Sequence, residues 1–290
     1  MARILIAGFG DIGFRLGLQL AEADHQVFGV RRHPPAESGH KNLIGVSADV
    51  SDPETLMALP DDIEYLVYIL SPDSRDVAAY QRAFITGLEN LRTRYGSQSI
   101  APQCVFVSST SVYGQRHGEW VDETSATDPS SSTAQVLVEA EQLVLGANTN
   151  NIVLRFSGIY GRSRASLLRR ARSGEPVPRN PPRYTNRIHR DDCVGVLCFL
   201  LQKKIRGEIL GSIYLASDDN PAPASEVADW LAKNLDLAPP APKSEAYDQN
   251  KRCSNQRIKA LGYQFLYSGY REGYSALFDD GNADDYVKGD

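Results

Sequence analysis

Residues 3 to 13 read RILIAGFGDIG, and this stretch decides the fold. Arg3 to Ala7 is a short apolar run that predicts a buried parallel strand. Glycines follow at once, and Ile12 to Ala23 then places apolar residues at helical spacing. Gln26 to Val30 is a second apolar run. The sequence therefore predicts a strand, a glycine-rich turn, a helix and a second strand within about thirty residues, which is a βαβ unit.

Three glycines in the turn fit the pattern G-x-G-x-x-G. The first allows a tight turn, the second lets the backbone approach a pyrophosphate, and the third lets helix and strand pack closely. The amino end of the helix adds N–H groups and a partial positive charge. Because the pattern follows a predicted strand and opens a predicted helix, it indicates a dinucleotide site, and the alternative is a turn that binds nothing. The residues of this site are Gly8, Phe9, Gly10, Asp11, Ile12 and Gly13.

The end of the second predicted strand indicates which dinucleotide binds. A site for NAD usually carries an acid about 20 residues after the glycines, where it accepts a hydrogen bond from the ribose 2′-OH. This chain has Arg31 and Arg32 there and no acid. An arginine pairs with a 2′-phosphate, which a carboxylate repels. The sequence favours NADP(H), with NAD(H) left open, and the alternative is that both arginines are exposed strand-end charges.

Strands and helices continue to alternate beyond this unit, which predicts an α/β fold with a Rossmann-type doubly wound parallel sheet. The further predicted elements are strands at Ile44–Val46, Tyr65–Leu70, Cys104–Ser108 and Ile152–Phe156 and helices at Pro53–Leu59, Val77–Tyr95 and Thr133–Leu145. After Gly161 the chain becomes rich in Arg and Pro. We expect a dinucleotide-binding domain at 1–161, completed by 188–217. A smaller C-terminal α/β substrate lobe is expected at 162–187 and 218–278, with a flexible tail at 279–290.

Composition argues against several classes of protein. The net charge of −5 argues against nucleic-acid binding. No apolar run approaches the roughly 18 to 20 residues of a membrane span, and the amino-terminal residues lack a signal-peptide pattern, so we expect no membrane association and a cytoplasmic location. Cysteines at 104, 193, 198 and 253 lie far apart, which predicts buried reduced thiols and no metal site.

One segment is strongly basic. From Arg155 to Arg190 the chain has ten arginines, no lysine and a single acid, Glu175, so the segment carries a charge of +9. The planar guanidinium can grip phosphate bidentately, which a lysine ammonium cannot. The segment therefore favours recognition of an anion, and the alternative is a solvated basic face.

Five blocks of sequence together resemble the extended short-chain dehydrogenases/reductases, the NAD-dependent epimerase/dehydratase family of nucleotide-sugar enzymes. The blocks are Gly8–Gly13, Asp49-Val50, VSSTSVYG at Val107–Gly114, LRFSGIYG at Leu154–Gly161 and NRIHRDD at Asn186–Asp192.

The resemblance implies roles for particular residues. It makes Ser109 a catalytic residue, and it implies a small anionic substrate such as a nucleotide-sugar. It also implies a homodimer formed through the helices at Val77–Tyr95 and Thr133–Leu145. The further residues that it implies for the cofactor are Asp49, Val50, Leu70 and Ser71, and those for the substrate are Arg155, Ser157 and Arg187.

The chain departs from the family at the catalytic dyad. The family's proton donor is a Tyr followed four residues later by a Lys, and Thr133 and Leu137 take those positions here. No Tyr or Lys occurs from Gln115 to Ile159. The family's first motif glycine is also replaced, by Ala7.

Three hypotheses follow from the missing dyad. The protein is an enzyme with another acid, a sensor of the NADP redox state without turnover, or a relic whose nucleotide stabilises the fold. For the enzyme, Tyr113, Tyr160 or an acid within Glu119–Glu123 would supply the proton. His189 is expected to be structural, and Asp191 and Asp192 are expected to cap the following helix.

Overall fold

The computed structural model describes residues 1–37, 39–96, 101–162, 166–244 and 249–279, so the predicted flexible tail lies outside the described residues from 280 onward. The strands are β1 (Arg3–Ala7), β2 (Gln26–Arg31), β3 (Leu43–Ser47), β4 (Tyr65–Tyr68), β5 (Gln103–Ser109), β6 (Glu119–Val121), β7 (Ile152–Phe156), β8 (Gly158–Tyr160), β9 (Val177–Pro178), β10 (Tyr184–Thr185), β11 (Arg187–His189), β12 (Ile213–Ala216), β13 (Ala222–Pro223), β14 (Pro242–Lys243) and β15 (Lys251–Cys253). The helices are α1 (Asp11–Glu22), α2 (Val77–Tyr80), α3 (Gly87–Tyr95), α4 (Ser132–Ala147), α5 (Ser166–Arg172), α6 (Arg190–Ile205), α7 (Ala224–Asn234), α8 (Gln256–Ala260) and α9 (Tyr270–Asp279).

A seven-stranded sheet has the order β12-β7-β5-β4-β1-β2-β3. The pairs β1–β2, β2–β3, β1–β4 and β4–β5 are all parallel. The chain winds outward from β1 in both directions, so the point at which the strand order reverses lies beside β1. This architecture confirms the predicted doubly wound α/β sheet. In such sheets ligands bind at the carboxyl ends of the strands, at the point of reversal.

Contacts divide the chain into two units. The first comprises Met1–Val112, Pro129–Arg155 and Val194–Tyr214. Residues 4–7 of β1 are fully buried, as expected of a parallel strand covered on both faces. Helix α1 buries Ile12, Leu16 and Leu20, which recur every four residues and so share one face.

The second unit comprises Tyr113–Asp128, Phe156–Cys193 and Leu215–Asp290. Its described residues form four two-stranded sheets, which pair β6 with β15, β8 with β11, β9 with β14 and β10 with β13. Its apolar core consists of Tyr160, Leu168, Ala222, Val227, Leu231, Tyr270, Tyr274 and Leu277. The boundaries of the units differ from those of the predicted domains, because residues 113–128, 156–161, 188–193 and 215–217 belong to this unit and were predicted within the dinucleotide-binding domain.

Several predicted elements differ in detail. Pro53–Leu59 is a 3-10 turn at Thr55–Ala58, and the predicted helix at Val77–Tyr95 contains a π-helical stretch at Gln81–Thr86. Helix α9 was not predicted from the sequence.

Candidate functional site

Two glycines of the motif are required by close backbone contacts. Gly8 has φ +109°, a left-handed conformation, and a Cβ there would lie 2.1 Å from the carbonyl oxygen of Ile69. A Cβ on Gly13 would lie 2.2 Å from the carbonyl oxygen of Gly8. Both distances are far below van der Waals contact, so the turn closes only with glycine at these positions. The first and third glycines therefore shape the turn, as the motif predicts.

Gly10, the second glycine, is different. No described atom other than its chain neighbours lies within 4 Å of the position of a Gly10 Cβ. The first hydrogen bond of α1 runs from the Phe14 N–H to the Gly10 carbonyl at 2.8 Å. Ile12 and Gly13 come before Phe14 in the chain, so their N–H groups have no acceptor within the helix. An open backbone surface beside such donors fits a pyrophosphate.

Phe9 holds the turn in place. The N–H groups of Gly8 and Phe9 both donate to the Val30 carbonyl, at 3.2 and 3.1 Å, which ties the turn to β2. The ring of Phe9 is buried and packs over Gly29, where a Cβ would lie 2.2 Å from it. Phe9 thus supports the turn through its buried ring, which has almost no surface exposed for a ligand.

The two arginines lie at the carboxyl end of β2, as predicted. Arg31 is the last residue of the strand and is exposed. Arg32 follows it and forms a bidentate ion pair with Asp73, in which Nη1 lies 3.0 Å from Oδ2 and Nη2 2.6 Å from Oδ1. The hydrogen bond from Arg32 lowers the pKa of Asp73. Asp73 could not be predicted from the sequence, because no spacing rule relates the loop after β4 to the end of β2.

The other predicted cofactor residues follow neighbouring strands at the same edge of the sheet. Asp49 and Val50 follow β3, and Leu70 and Ser71 follow β4. The carboxylate of Asp49 accepts hydrogen bonds from the N–H and hydroxyl of Ser51, at 2.9 and 2.7 Å. All of these residues belong to the first unit, so one unit brings the predicted dinucleotide site together.

The predicted catalytic positions of the first unit carry little acid–base chemistry. Ser109 ends β5, and its Oγ accepts the Ser111 N–H at 3.1 Å. Thr133 lies in the first turn of α4, with its hydroxyl 2.8 Å from that of Ser131. Leu137 is buried in the same helix. A free serine or threonine hydroxyl is a weak acid and a weak nucleophile near neutral pH.

Among the alternative proton donors, Tyr113, Tyr160 and Glu123 are buried within the second unit. Tyr113 is completely buried, and its hydroxyl donates to the Asp122 carbonyl at 2.7 Å. Burial also raises the pKa of Tyr160. The Glu123 carboxylate accepts the Leu215 N–H at 2.8 Å, and burial raises its pKa. The geometry gives the predicted acid role of Tyr113 no support, because its hydroxyl is already committed to the backbone.

Arg155 requires a correction. The sequence assigns it to substrate phosphate, but its guanidinium is buried and binds Glu141 of α4 through two hydrogen bonds, Nε–Oε1 at 3.0 Å and Nη2–Oε2 at 2.6 Å. Ser108 also donates to Glu141 Oε1, at 2.6 Å. A carboxylate already occupies the fork that phosphate would need, so Arg155 stabilises the packing of α4 on the sheet.

Arg187 and Ser157 of the second unit keep hydrogen-bonding capacity. Arg187 is 3% exposed, and one Nη donates to the Thr185 hydroxyl. Among the described residues its Nε and Nη1, and the Ser157 Oγ, have no hydrogen-bond partner. Burial lowers the pKa of Arg187 and raises that of nearby Asp218 to about 7. Buried polar atoms of this kind are costly, and they are expected to find polar partners.

The basic segment is less open to an anion than its charge indicates. Arg170 pairs with Glu175 at 2.7 Å, and Arg179 pairs with Asp229 at 2.8 Å. Glu175 is already counted in the +9 charge, while Asp229 and Glu141 lie outside the segment and neutralise two further arginines, Arg179 and Arg155.

The structure also corrects the predicted capping role of Asp192. Asp192 does not cap α6, because its carboxylate accepts the N–H groups of Leu266 and Tyr267 at 2.8 and 3.2 Å. The ring of His189 packs against Tyr267 with centroids 4.3 Å apart, which agrees with a structural role.

The described ranges contain no cluster of three His, Cys, Asp or Glu side chains that could hold a metal ion. None of their helices combines the length and apolarity of a membrane span. All four cysteines are buried, as predicted.

Comparisons with known proteins agree with the sequence blocks. The model of the family described as RmlD substrate binding domain matches residues 2–260. Protein YeeZ of Escherichia coli K12 is 25% identical over 280 residues, which cover 92% of this chain and 97% of YeeZ. A structure from Methylobacillus flagellatus, provisionally named an NAD-dependent epimerase/dehydratase, is 36% identical, with a TM-score of 0.81 and coverage of 96% of this chain and 98% of that one.

A more distant structure shares the fold. UDP-glucuronic acid 4-epimerase of Bacillus cereus, solved in complex with NAD, is 18% identical, with a TM-score of 0.76 and coverage of 96% of this chain and 97% of that one. Together these similarities confirm the resemblance to the epimerase/dehydratase family that the five blocks indicated.

Proposed function

Because the chain belongs to the RmlD substrate binding domain family, we propose that it is an NADP(H)-binding, oxidoreductase- or epimerase/dehydratase-like protein. Its proposed substrate is a nucleotide-sugar or another small anion, and its active site is atypical. The observation that carries the proposal is the turn at Gly8–Gly13, in which two glycines are required by backbone contacts while Gly10 is left open. An open second glycine has a clear use in a turn that binds a pyrophosphate.

The proposed cofactor rests on the family of the chain and on the side chains of Arg31 and Arg32. Solved relatives of the fold hold NAD, but this chain ends β2 with Arg31 and has Arg32 next to it. The N–H groups of Ile12 and Gly13 would bind the pyrophosphate, and the arginines would bind the 2′-phosphate. A bound nicotinamide supplies hydride transfer. NADP(H) is therefore the proposed cofactor, with NAD(H) as a weaker ligand.

The substrate class rests on the second unit. Solved relatives of the fold hold UDP-glucuronic acid and UDP-glucose, which are anionic nucleotide-sugars. Arg187 and Ser157 are the residues of the substrate assignment that keep unused donors in the described structure. Arg155 is no longer part of this assignment, because Glu141 occupies it.

A second candidate function is that of a sensor of the NADP redox state without turnover. The bonded state of Tyr113 and the residue at position 137 favour it. The hydroxyl of Tyr113 is bound to a backbone carbonyl, and Leu137 is an apolar residue where the family has its lysine. Loss of a general acid–base group typically costs about 10² to 10⁴ in rate. A protein with this site would bind the nucleotide well and turn over slowly or not at all.

One assay separates the two candidates. Purified protein is incubated with NADP⁺ or NADPH and with UDP-glucose, UDP-glucuronic acid or dTDP-glucose, while absorbance at 340 nm and the sugar nucleotides are followed. The proposed enzyme converts at least one of them, and Gly10→Ala abolishes the conversion. Discrimination between NADP⁺ and NADPH with no conversion of any sugar would contradict the enzyme and support the sensor.

Two further expectations remain proposals. One is a homodimer formed through the helices α2–α3 and α4, and the other is a cytoplasmic location. Sedimentation at several protein concentrations tests the dimer.

A further inference from the structure

Asp73 holds one of the two arginines proposed to bind the 2′-phosphate. It lies in the loop between β4 and α2, and its two carboxylate oxygens accept from the two Nη atoms of Arg32, at 3.0 and 2.6 Å. This side-by-side geometry is the one in which a guanidinium binds phosphate. The same two donors cannot bind both anions at once.

The loop directs this particular carboxylate to Arg32. Its other acid, Asp76, caps α2 by accepting the Ala79 N–H at 2.8 Å. The main chain of Arg32 is held as well, since the Ser47 hydroxyl donates to its carbonyl at 2.8 Å. The pair therefore joins two anchored segments of the first unit.

The pair is also able to open. The side chains of Arg32 and Asp73 are 56% and 63% exposed. Ion pairs that are this exposed are weak, so a stronger anion can displace the carboxylate. The hydrogen bond from Arg32 lowers the pKa of Asp73, so the carboxylate stays ionised near neutral pH and remains paired until another anion displaces it.

We propose that Asp73 is a specificity-determining residue that competes with the 2′-phosphate of NADP(H) for Arg32 and so weakens the preference for NADP(H) over NAD(H). The inference rests on the proposed function of the same site. NAD(H) has no 2′-phosphate, so its binding leaves the pair closed. Asp73 thereby limits the affinity for one cofactor and leaves the other unaffected.

The test compares equilibrium dissociation constants of NADPH and NADH for the full chain and for Asp73→Asn, by titration calorimetry at fixed salt. The asparagine keeps the shape and removes the charge. We expect Asp73→Asn to bind NADPH about three- to tenfold more tightly and NADH within about twofold of the starting protein. In an Arg32→Ala background the same change should have no effect on NADPH.

Asp61→Asn is the matched control. Asp61 forms a similar surface ion pair with Arg94 at 2.7 Å, and its carbonyl accepts from Arg3, which begins β1, so it lies at the amino edge of the sheet. Asp61→Asn should leave both constants unchanged, because it removes the same charge away from the site.

Each outcome has a separate meaning. If the starting protein binds NADPH and Asp73→Asn binds it equally well, the inference is overturned and the proposed function stands. An equal gain in the Arg32→Ala background, or with Asp61→Asn, also overturns competition for Arg32. If the starting protein binds neither nucleotide, the proposed function itself fails.

Discussion

The guanidinium of Arg155 and the carboxylate of Glu141 form a buried bidentate ion pair, with Nη2–Oε2 at 2.6 Å and Nε–Oε1 at 3.0 Å. Arg155 belongs to β7 and Glu141 to α4, so the pair fastens a helix to the sheet. The family resemblance alone would assign this arginine to the substrate.

The first prediction concerns this pair. Arg155→Met should lower the free energy of unfolding by about 3 to 5 kcal/mol, because it leaves the Glu141 carboxylate buried and uncompensated. Urea unfolding measures the loss. The double variant Glu141→Gln with Arg155→Met should recover most of it, since no buried charge remains. If Arg155→Met kept its stability and lost sugar-nucleotide binding, the result would contradict this prediction and support a role of Arg155 in substrate binding.

The second prediction separates two glycines of the same motif. Gly10→Ala should fold normally, since its Cβ meets no described atom within 4 Å and its φ of −88° suits any residue. It should weaken dinucleotide binding more than tenfold, because the methyl group occupies the surface that the pyrophosphate approaches.

Gly13→Ala is the matched variant. It should lower the free energy of unfolding by about 1 to 3 kcal/mol, because its Cβ would lie 2.2 Å from the Gly8 carbonyl. Thermal unfolding and nucleotide titration of both variants check the pair. Full nucleotide affinity in Gly10→Ala would mean that no pyrophosphate lies there.

The third prediction concerns Tyr113. Tyr113→Phe should cost about 1 kcal/mol of stability, because it removes the buried hydrogen bond to the Asp122 carbonyl. It should leave nucleotide binding and any sugar-nucleotide conversion unchanged, since the hydroxyl is committed to that bond. A folded variant with at least a hundredfold slower conversion would restore Tyr113 as the proton donor.

The fourth prediction is a dependence of stability on pH. Burial raises the pKa of Asp218 from 3.8 to about 7, although Arg187 opposes the change. Between pH 4 and 7 the unfolded chain has released this proton while the folded chain keeps it, so stability falls as the pH rises. From pH 5 to 8 the loss due to Asp218 should be about 2 to 3 kcal/mol.

Asp218→Asn isolates that contribution, because an amide does not titrate in this range. Urea unfolding at pH 5 and pH 8 should show the variant gaining stability relative to the starting protein as the pH rises. Parallel changes in the two proteins would mean that Asp218 has an ordinary pKa.

The fold could be predicted where local sequence determines it. Residues 3–7 form a continuous apolar run, which is what a strand buried on both faces requires, and the glycine spacing after it reports a turn of fixed geometry. Helix α9 was not predicted, because its buried face is largely aromatic. Tyr270, Tyr274 and Leu277 recur at helical spacing, and that signal could have identified it.

The site was less predictable, because its charges are paired over long distances in the chain. Nothing local shows that Glu141 meets Arg155 or that Asp73 meets Arg32, 41 residues away. An arginine that binds phosphate and one that binds a carboxylate look the same in sequence. Only the tertiary structure shows whether a carboxylate lies beside the arginine, and this decides between the two roles.

The proposed preference of the first unit for NADP(H) over NAD(H) depends on the end of β2. Calorimetric titration of NADPH and NADH into the starting protein and Arg31→Asp tests it most directly. Arg92→Asp, in the last turn of α3, is the control with the same change of charge. We predict at least tenfold tighter binding of NADPH, lost in Arg31→Asp and retained in Arg92→Asp. Equal affinity for the two nucleotides, or a preference that survives Arg31→Asp, would contradict the claim.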